Sequence, residues 1–286
     1  MVKALLLLSL SGCTPGGTAD STPACGPLRV ASWNLLHGYL DEDPDAQPFD
    51  RVEERLALAG PALAEDGLAA LMLQEVVMGA TDGYPDTAEI LRVAQGEAWS
   101  LTFGDLFGTE PASSGNGWGQ AILTCYEVLE ANNHVLTTTS GTPRSVLHTR
   151  VSVEGDEVDL FDAHTSGNGA IEVEDVLGFV EELGGDRIVL GGDFNIADDE
   201  EGMEVLEDAG FTDVIGEPCL VEGGPTCTNS TIPLGEEGNR SDQRIDYLWV
   251  RGLEVVEAEV LFTSPMETSE GVLWVSDHLP VVATLD

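Results

Sequence analysis

Several apolar, strand-like runs of this chain end on a side chain able to bind a metal ion or a phosphate. They supply Asn34 in "LRVASWN", Glu75 in "LAALMLQE", His164 in "FDAH", Asp193 and Asn195 in "IVLGGDFN", Asp246 in "QRID", and Asp277 with His278 in "WVSDHLPV". A carboxylate is a hard ligand suited to Mg²⁺, an ion that keeps several of its waters. An imidazole donates hydrogen bonds or protons near neutral pH. Attack on a phosphate ester needs charge neutralisation, a positioned water and a stabilised leaving oxygen, and these residue types supply all three. Singly, each has a plain structural explanation. Asp277–His278 reads as a polar turn entering the last strand, Asn34 as a turn cap and Asp246 as a partner of Arg244. As a set they read as a site, because polar groups at strand ends leave the core while their backbone stays rigid.

The elements that must carry them follow from periodicity. Residues 28–34 read as a strand, and Val52, Leu56, Ala59 and Leu63 recur at helical spacing behind Asp50 as a cap. Pro61 is expected to kink or restart that helix. Residues 68–75 read as a buried strand ending at its polar residue, and Asp86 as the cap of a helix reaching about Gly96. From Trp99 to Phe161 the Val, Thr and Leu content predicts successive strands. A helix over 170–183 precedes the strand ending in "GGDFN", and "DDEEGMEVLEDAG" reads as a short helix with a solvated acidic face. Two more strands close the chain, the last beginning near Pro280. No internal repeat of fixed period stands out, and no linker divides residues 28–286. Two sheets packed face to face, with helices outside, would bring the polar strand ends to one rim.

Charge is the compositional outlier. Eleven basic residues stand against 52 acidic ones, a formal net of −41, and Lys3 is the only lysine. Such a surface repels polyanions unless cations screen it. The start, "MVKALLLLSLSGC", has the basic residue, short apolar run and small residues of an export signal, and is too short to remain as a spanning helix. Its "LSGC" resembles a bacterial lipoprotein box, which implies cleavage before Cys13 and lipid on that cysteine. The expected division is a signal peptide over 1–12, a flexible tether over 13–27 and one domain over 28–286, lipid-anchored and facing the periplasm or cell exterior. Export permits disulfides. Cys219 and Cys227 bracket a Gly-Pro turn and are expected to pair, which leaves Cys25 with Cys125 by elimination.

The stretches "SWNLLHG", "LMLQEV", "FDAHTSGN", "GGDFN", "RIDYLWV" and "SDHLPV", in this order, resemble the endonuclease/exonuclease/phosphatase family of deoxyribonuclease-like phosphoesterases across residues 28–286. The resemblance implies an α/β fold, a four-layer sandwich of two packed mixed β-sheets flanked by helices, and metal-dependent cleavage of phosphate mono- or diesters. It places Asn34, Glu75 and Asp277 on the metal side, with Mg²⁺ expected and Mn²⁺ or Ca²⁺ as alternatives. His164 and His278 would approach the phosphate from two sides, with Asp246 fixing the tautomer of His278. Asp193 would align the attacking water, and Asn195 would hydrogen-bond the phosphate. Arg144 loosely matches a phosphate-contacting arginine of the family's nucleases, a surface salt bridge being the equal alternative. His37, His134 and His148 are assigned to structure or surface. A Gly-rich "HTSGNG" follows where many relatives have an apolar residue, so that loop's part in substrate binding is open.

Three functions are weighed on this basis. The first is a metal-dependent phosphoesterase acting outside the cytoplasm on small-molecule or lipid head-group esters, as a monomer. The second is an extracellular endonuclease on DNA or RNA, disfavoured because nonspecific affinity for nucleic acid comes from cationic contacts and the body of the chain offers ten arginines and no lysine. The third is a catalytically silent, surface-anchored binding module, which predicts decay of the motifs; none of the main motif residues is missing.

Overall fold

Both faces of the first strand are buried. In β1 (Leu28–Asn34), Val30 and Ser32 point one way and Ala31 and Trp33 the other, and all four are inaccessible to solvent. A strand of this kind must lie inside a layered structure. The computed structural model describes residues 25–36, 51–79, 85–106, 117–139, 141–230 and 241–286. After β1 come α1 (Val52–Glu65), β2 (Ala70–Met78), α2 (Thr87–Gln95), β3 (Ser100–Asp105) and β4 (Gly117–Thr124). The second half of the sandwich starts with β5 (Glu127–Val135), β6 (Ser145–Val153), β7 (Asp156–His164), α3 (Ala170–Leu183) and β8 (Ile188–Asp193). Short elements follow: α4 (Glu204–Asp208), β9 (Thr212–Asp213), β10 (Asn229–Ser230) and β11 (Ser241–Gln243). The chain closes with β12 (Asp246–Arg251), β13 (Val255–Val260), β14 (Met266–Thr268), β15 (Gly271–Leu273) and β16 (Val281–Leu285).

Two mixed six-stranded sheets result, ordered β13-β16-β1-β2-β4-β3 and β5-β6-β7-β8-β12-β9. Each contains one parallel pair, β1–β2 and β7–β8, and each pair is joined by a helical crossover, α1 and α3. Parallel neighbours require such a connection, whereas the antiparallel pairs need only turns. Val30, Met72, Ile122, Leu160, Val189 and Leu248 fill the space between the sheets. Trp33, Leu56, Leu63, Leu73 and Leu91 pack the first sheet against α1 and α2. Phe161, Val173, Val176, Val180 and Leu190 pack the second against α3. The four-layer α/β sandwich expected from the sequence is therefore present.

Two local expectations are corrected. Pro61 lies inside α1, so of the two effects expected of it, a kink or a restart, the restart does not occur. The carbonyl it leaves unpaired is that of Ala57, and both residues are exposed, so water can take the place of the missing N–H. The acidic helix is short, five residues, and Glu204, Glu207 and Asp208 are exposed as expected, but Asp198 ahead of it is not a solvated charge. Its Oδ2 accepts the Cys219 N–H at 2.6 Å and lies 3.7 Å from Arg244. Asp50, proposed as the cap of α1, lies outside the described residues. Both disulfides are formed: Cys25–Cys125 ties the entry to β1 to the β4–β5 turn, and Cys219–Cys227 closes the loop before β10.

One polar cluster is sealed between the sheets. Gln74 Nε2 lies 2.5 Å from Asp162 Oδ1 and 3.2 Å from Ser32 Oγ. Burial pushes the Asp162 carboxyl well above the usual range, and the Gln74 contact only partly opposes it. Asp162 therefore keeps its proton to higher pH in the fold than in the unfolded chain, so it lowers stability increasingly as pH rises above the ordinary Asp range. Asp162→Asn should raise the unfolding free energy at pH 8 by more than at pH 5. Urea titrations at the two pH values check this, and an equal change at both would show that Asp162 ionises in the fold.

Candidate active site

Register assembles the site. In the second sheet His164 of β7 is the parallel partner of Asp193 of β8, and Asp246 of β12 is the antiparallel partner of the same Asp193. The three side chains thus stand abreast on one row at the sheet's end. In the first sheet Asn34 pairs with Gln74, the residue before Glu75. The facing ends meet where Asn34 Nδ2 donates to Asp193 Oδ2 at 2.9 Å and to Glu75 Oε1 at 3.2 Å. Asp277 and His278 enter from the segment before β16. Ser276 places them by donating its hydroxyl to the Asn34 carbonyl at 2.8 Å and accepting the His278 N–H at 3.2 Å. Trp33 Nε1 holds the His278 carbonyl at 3.1 Å. All eight residues chosen from the sequence are brought together.

Glu75 reaches the rim in a way the sequence reading did not foresee. Its strand does not end there but continues to Met78, with a register shift between Leu73 and Val76. Glu75 sits at this bulge with φ 56, which turns its side chain out of the strand's alternation and into the site. Asn195 also has positive φ (51), just past β8. Its N–H donates to Asp193 Oδ1 and its Nδ2 to the Thr165 carbonyl, both at 2.9 Å, leaving a second N–H on Nδ2. Gly167, at φ +73, packs so close to the Asn195 carbonyl that a Cβ would come within 2.5 Å of it. Together with Glu172, which accepts the Ser166 and Asn168 N–H groups at 2.8 and 3.2 Å, this fixes the Gly-rich loop after His164.

The site divides into two halves. On one side lie Glu75 and Asp277. Burial raises the Asp277 carboxyl, the nearby His278 charge lowers it, and the negative charge of Glu75 raises it again. Two carboxylates that repel each other at a half-open rim could hold a divalent cation. Asn34 Oδ1 accepts the Leu36 N–H at 3.0 Å, which settles the orientation of its amide. Its Nδ2 therefore points at Glu75 and Asp193 and its Oδ1 at the Leu36 N–H.

On the other side are Asp193, Asp246, His278 and His164. Asp193, Asp246 and His278 also converge closely enough to resemble a metal cluster. Their ligand atoms are already committed to hydrogen bonds. Both Asp246 oxygens lie 2.9–3.0 Å from His278 Nδ1, and both Asp193 oxygens accept N–H groups. This half is a hydrogen-bonded cluster of titratable groups. Burial raises Asp193 to about 7, and the neighbouring Asp246 adds to the rise, while His278, Asn34 and the Asn195 N–H oppose it. Burial disfavours the His278 charge, but Asp246, Asp277 and Asp193 outweigh it and hold the imidazole well above its ordinary value. His164 Nε2 is 3.6 Å from Asp193, and its Nδ1 faces Arg144 Nη1 at 3.4 Å. A guanidinium only donates, so Nδ1 is the acceptor and Nε2 carries the proton.

Arg144, Glu75, Trp118, Thr142 and His164 line a cleft of about 160 Å³ beside the site. The arginine thus lies at the site, in place of the surface salt bridge. His134 and His148 serve structure, bonded to Asp175 at 3.0 Å and Asp159 at 2.8 Å; His37 is outside the described residues. Sequence reading missed Arg55. Fully buried on α1, it donates to the carbonyls of Leu35, Leu36 and Val275 at 2.6–2.9 Å and so holds the backbone under Asn34 and Asp277. It also missed Thr228 and Asn229, which carry no motif. The only signal was their place directly after Cys227.

The family model for the endonuclease/exonuclease/phosphatase family matches residues 31–278. The chain belongs to that family, whose members hydrolyse phosphate esters with divalent metal ions. Among solved structures it is similar to a family protein of Leptotrichia buccalis (16% identity, TM-score 0.65). It is also similar to the mannosyl-6-phosphatase of Bacteroides thetaiotaomicron (18%, 0.66) and to D. rerio TDP2 complexed with a single-strand DNA product (18%, 0.63). Each likeness covers 91% of this chain and 99% of the other. No curated protein matches the sequence.

The paired donor His278 generates a pH prediction. Asp246→Asn removes the charge that most raises the imidazole, so the alkaline limb of kcat/KM should move to lower pH, with turnover reduced on the order of 10²-fold. The pH–rate profile of the variant checks it; an unmoved alkaline limb would show that His278 is not the acid.

Proposed function

We propose that this protein is a divalent-metal-dependent phosphoesterase that hydrolyses small phosphate mono- or diesters outside the cytoplasm. The observation that carries it is the hydrogen-bonded junction of the two sheets at Asp193, with a carboxylate pair on one side and the Asp246–His278 dyad on the other. Glu75 and Asp277 would hold the cation, with Asn34 orienting Glu75. When bound, it supplies charge neutralisation at the phosphoryl oxygens. Asp193, raised towards neutrality, accepts the proton of the attacking water. His164 donates Nε2–H, and Asn195 the second N–H of its amide, to the non-bridging oxygens. His278, charged and fixed by Asp246, protonates the leaving oxygen.

Charge favours small esters over nucleic acid, although one similar structure was solved with DNA product. Among the described arginines, Arg29, Arg51, Arg92, Arg150, Arg187, Arg244 and Arg251 each meet an Asp or Glu. Arg55 is sealed against carbonyls, which leaves Arg144 at the cleft to meet a phosphate. A long phosphate backbone would find few unpaired cations. The similar mannosyl-6-phosphatase supports the same direction.

The test is a panel of phosphate mono- and diesters and duplex DNA, assayed with Mg²⁺, Mn²⁺, Ca²⁺ or chelator across a range of salt. Small esters should be hydrolysed, chelator should abolish turnover, and Asp193→Ala or His164→Ala should reduce it by roughly 10²–10⁴-fold. DNA cleavage that is efficient at low salt and falls steeply with salt would establish the nuclease instead. For the location, the "LSGC" stretch motivates lipid attachment at Cys13. Cys13→Ser should release the protein from membranes or block its processing, and equal membrane partition of both forms would exclude the anchor.

A further inference from the structure

His278 is held at both ring nitrogens, and only one holder belongs to the recognised motifs. Asp246 takes Nδ1, while the side-chain amide of Asn229 lies 3.1 Å from Nε2. The backbones of the two residues also form an isolated antiparallel bridge, so the approach is built into the chain path. An amide can meet Nε2 in either state, giving Nδ2–H to a bare nitrogen or accepting Nε2–H on Oδ1. It therefore can keep the ring in the plane of Asp246 while His278 gives up and regains a proton.

Asn229 is itself placed by its neighbours. Thr228 hydrogen-bonds Gln243 through its N–H at 2.9 Å, accepts the Leu279 N–H at 2.7 Å, and with Oγ1 accepts the Asp246 N–H at 3.1 Å. The residue before it is Cys227, fully buried and bonded to Cys219. The loop this disulfide closes has little packing of its own. Leu220 and Val221 are 82% and 69% exposed, and the adjoining β10 and β11 are two and three residues long. A segment with so few buried contacts opens readily, and a covalent link is what limits that freedom.

We propose that Asn229 is a positioning residue for His278, and that the Cys219–Cys227 disulfide serves turnover by holding Asn229 in place. This rests on the phosphoesterase reading for its catalytic consequence, but not for its structural one. The measurement is steady-state kinetics on p-nitrophenyl phosphate and bis(p-nitrophenyl) phosphate with Mg²⁺, together with the ¹⁵N signals of the His278 ring. Asn229→Leu, close to isosteric but without polar atoms, should lower kcat about 10-fold with KM changed less than about 2-fold. Asn229→Asp keeps an acceptor oxygen and should recover to within about 3-fold of wild type.

Cys219→Ser/Cys227→Ser should match the Leu variant, and combining the two should add less than about 2-fold, because both act through one contact. Cys25→Ser/Cys125→Ser, which opens the other disulfide, should leave kcat unchanged. Losses that multiply, or equal losses from both disulfides, would overturn the link. A His278 ring signal unchanged in Asn229→Leu would overturn the positioning itself. If the wild type hydrolyses neither ester with any divalent ion, the phosphoesterase reading fails, and the ring signal still decides the role of Asn229.

Discussion

The hydrogen bond from Asn34 to Asp193 is the constraint on which the site depends, because it joins the two sheets at the rim. A fully buried carboxylate must be satisfied or neutralised. Asp193 takes one N–H from across the sandwich and one from Asn195 behind it. Its place therefore fixes the relative position of β1 and β8. A one-residue slip of either strand would send the side chain to the wrong face and strand the charge. The parallel pairs, the crossover helices and the inter-sheet apolar layer all serve to bring these two strand ends together.

Around that junction the protein separates two electrostatic tasks. Glu75 and Asp277 repel each other at the half-open rim, and Asp246 and His278 attract each other where little solvent reaches. Putting the dyad in the buried row lets short hydrogen bonds hold the ring, while the half-open carboxylates remain available to an ion. The surrounding acidity, with most described arginines already paired, leaves Arg144 as the arginine at the cleft among the described residues.

Much of this was legible in the sequence, and the reason is local. Asn34, His164 and Asp193 end their strands, where an apolar run followed by a polar residue is a direct signal of burial followed by emergence. Asp246 instead opens β12 and His278 precedes β16, so there the polar residue comes before the apolar run. Glu75 was found for a partly wrong reason. Its strand continues, and a bulge with positive φ exposes it, which no alternation pattern reveals. Arg55 occupies a core position of α1, and a sequence reader takes arginine for a surface residue because its burial depends on three carbonyls from distant segments. Pro61 does not restart α1, since the carbonyl it orphans can reach water. Asn229 acts across 49 residues of chain, and only the fold puts it against His278.

The central claim is that the metal half and the proton half are distinct, and the position of a bound ion tests it most directly. Crystals soaked in Mn²⁺ and measured at the manganese absorption edge would locate it. The account predicts an anomalous peak between Glu75 and Asp277, with the Asp246–His278 hydrogen bonds intact. A peak enclosed by Asp193, Asp246 and His278, with that dyad broken, would contradict it.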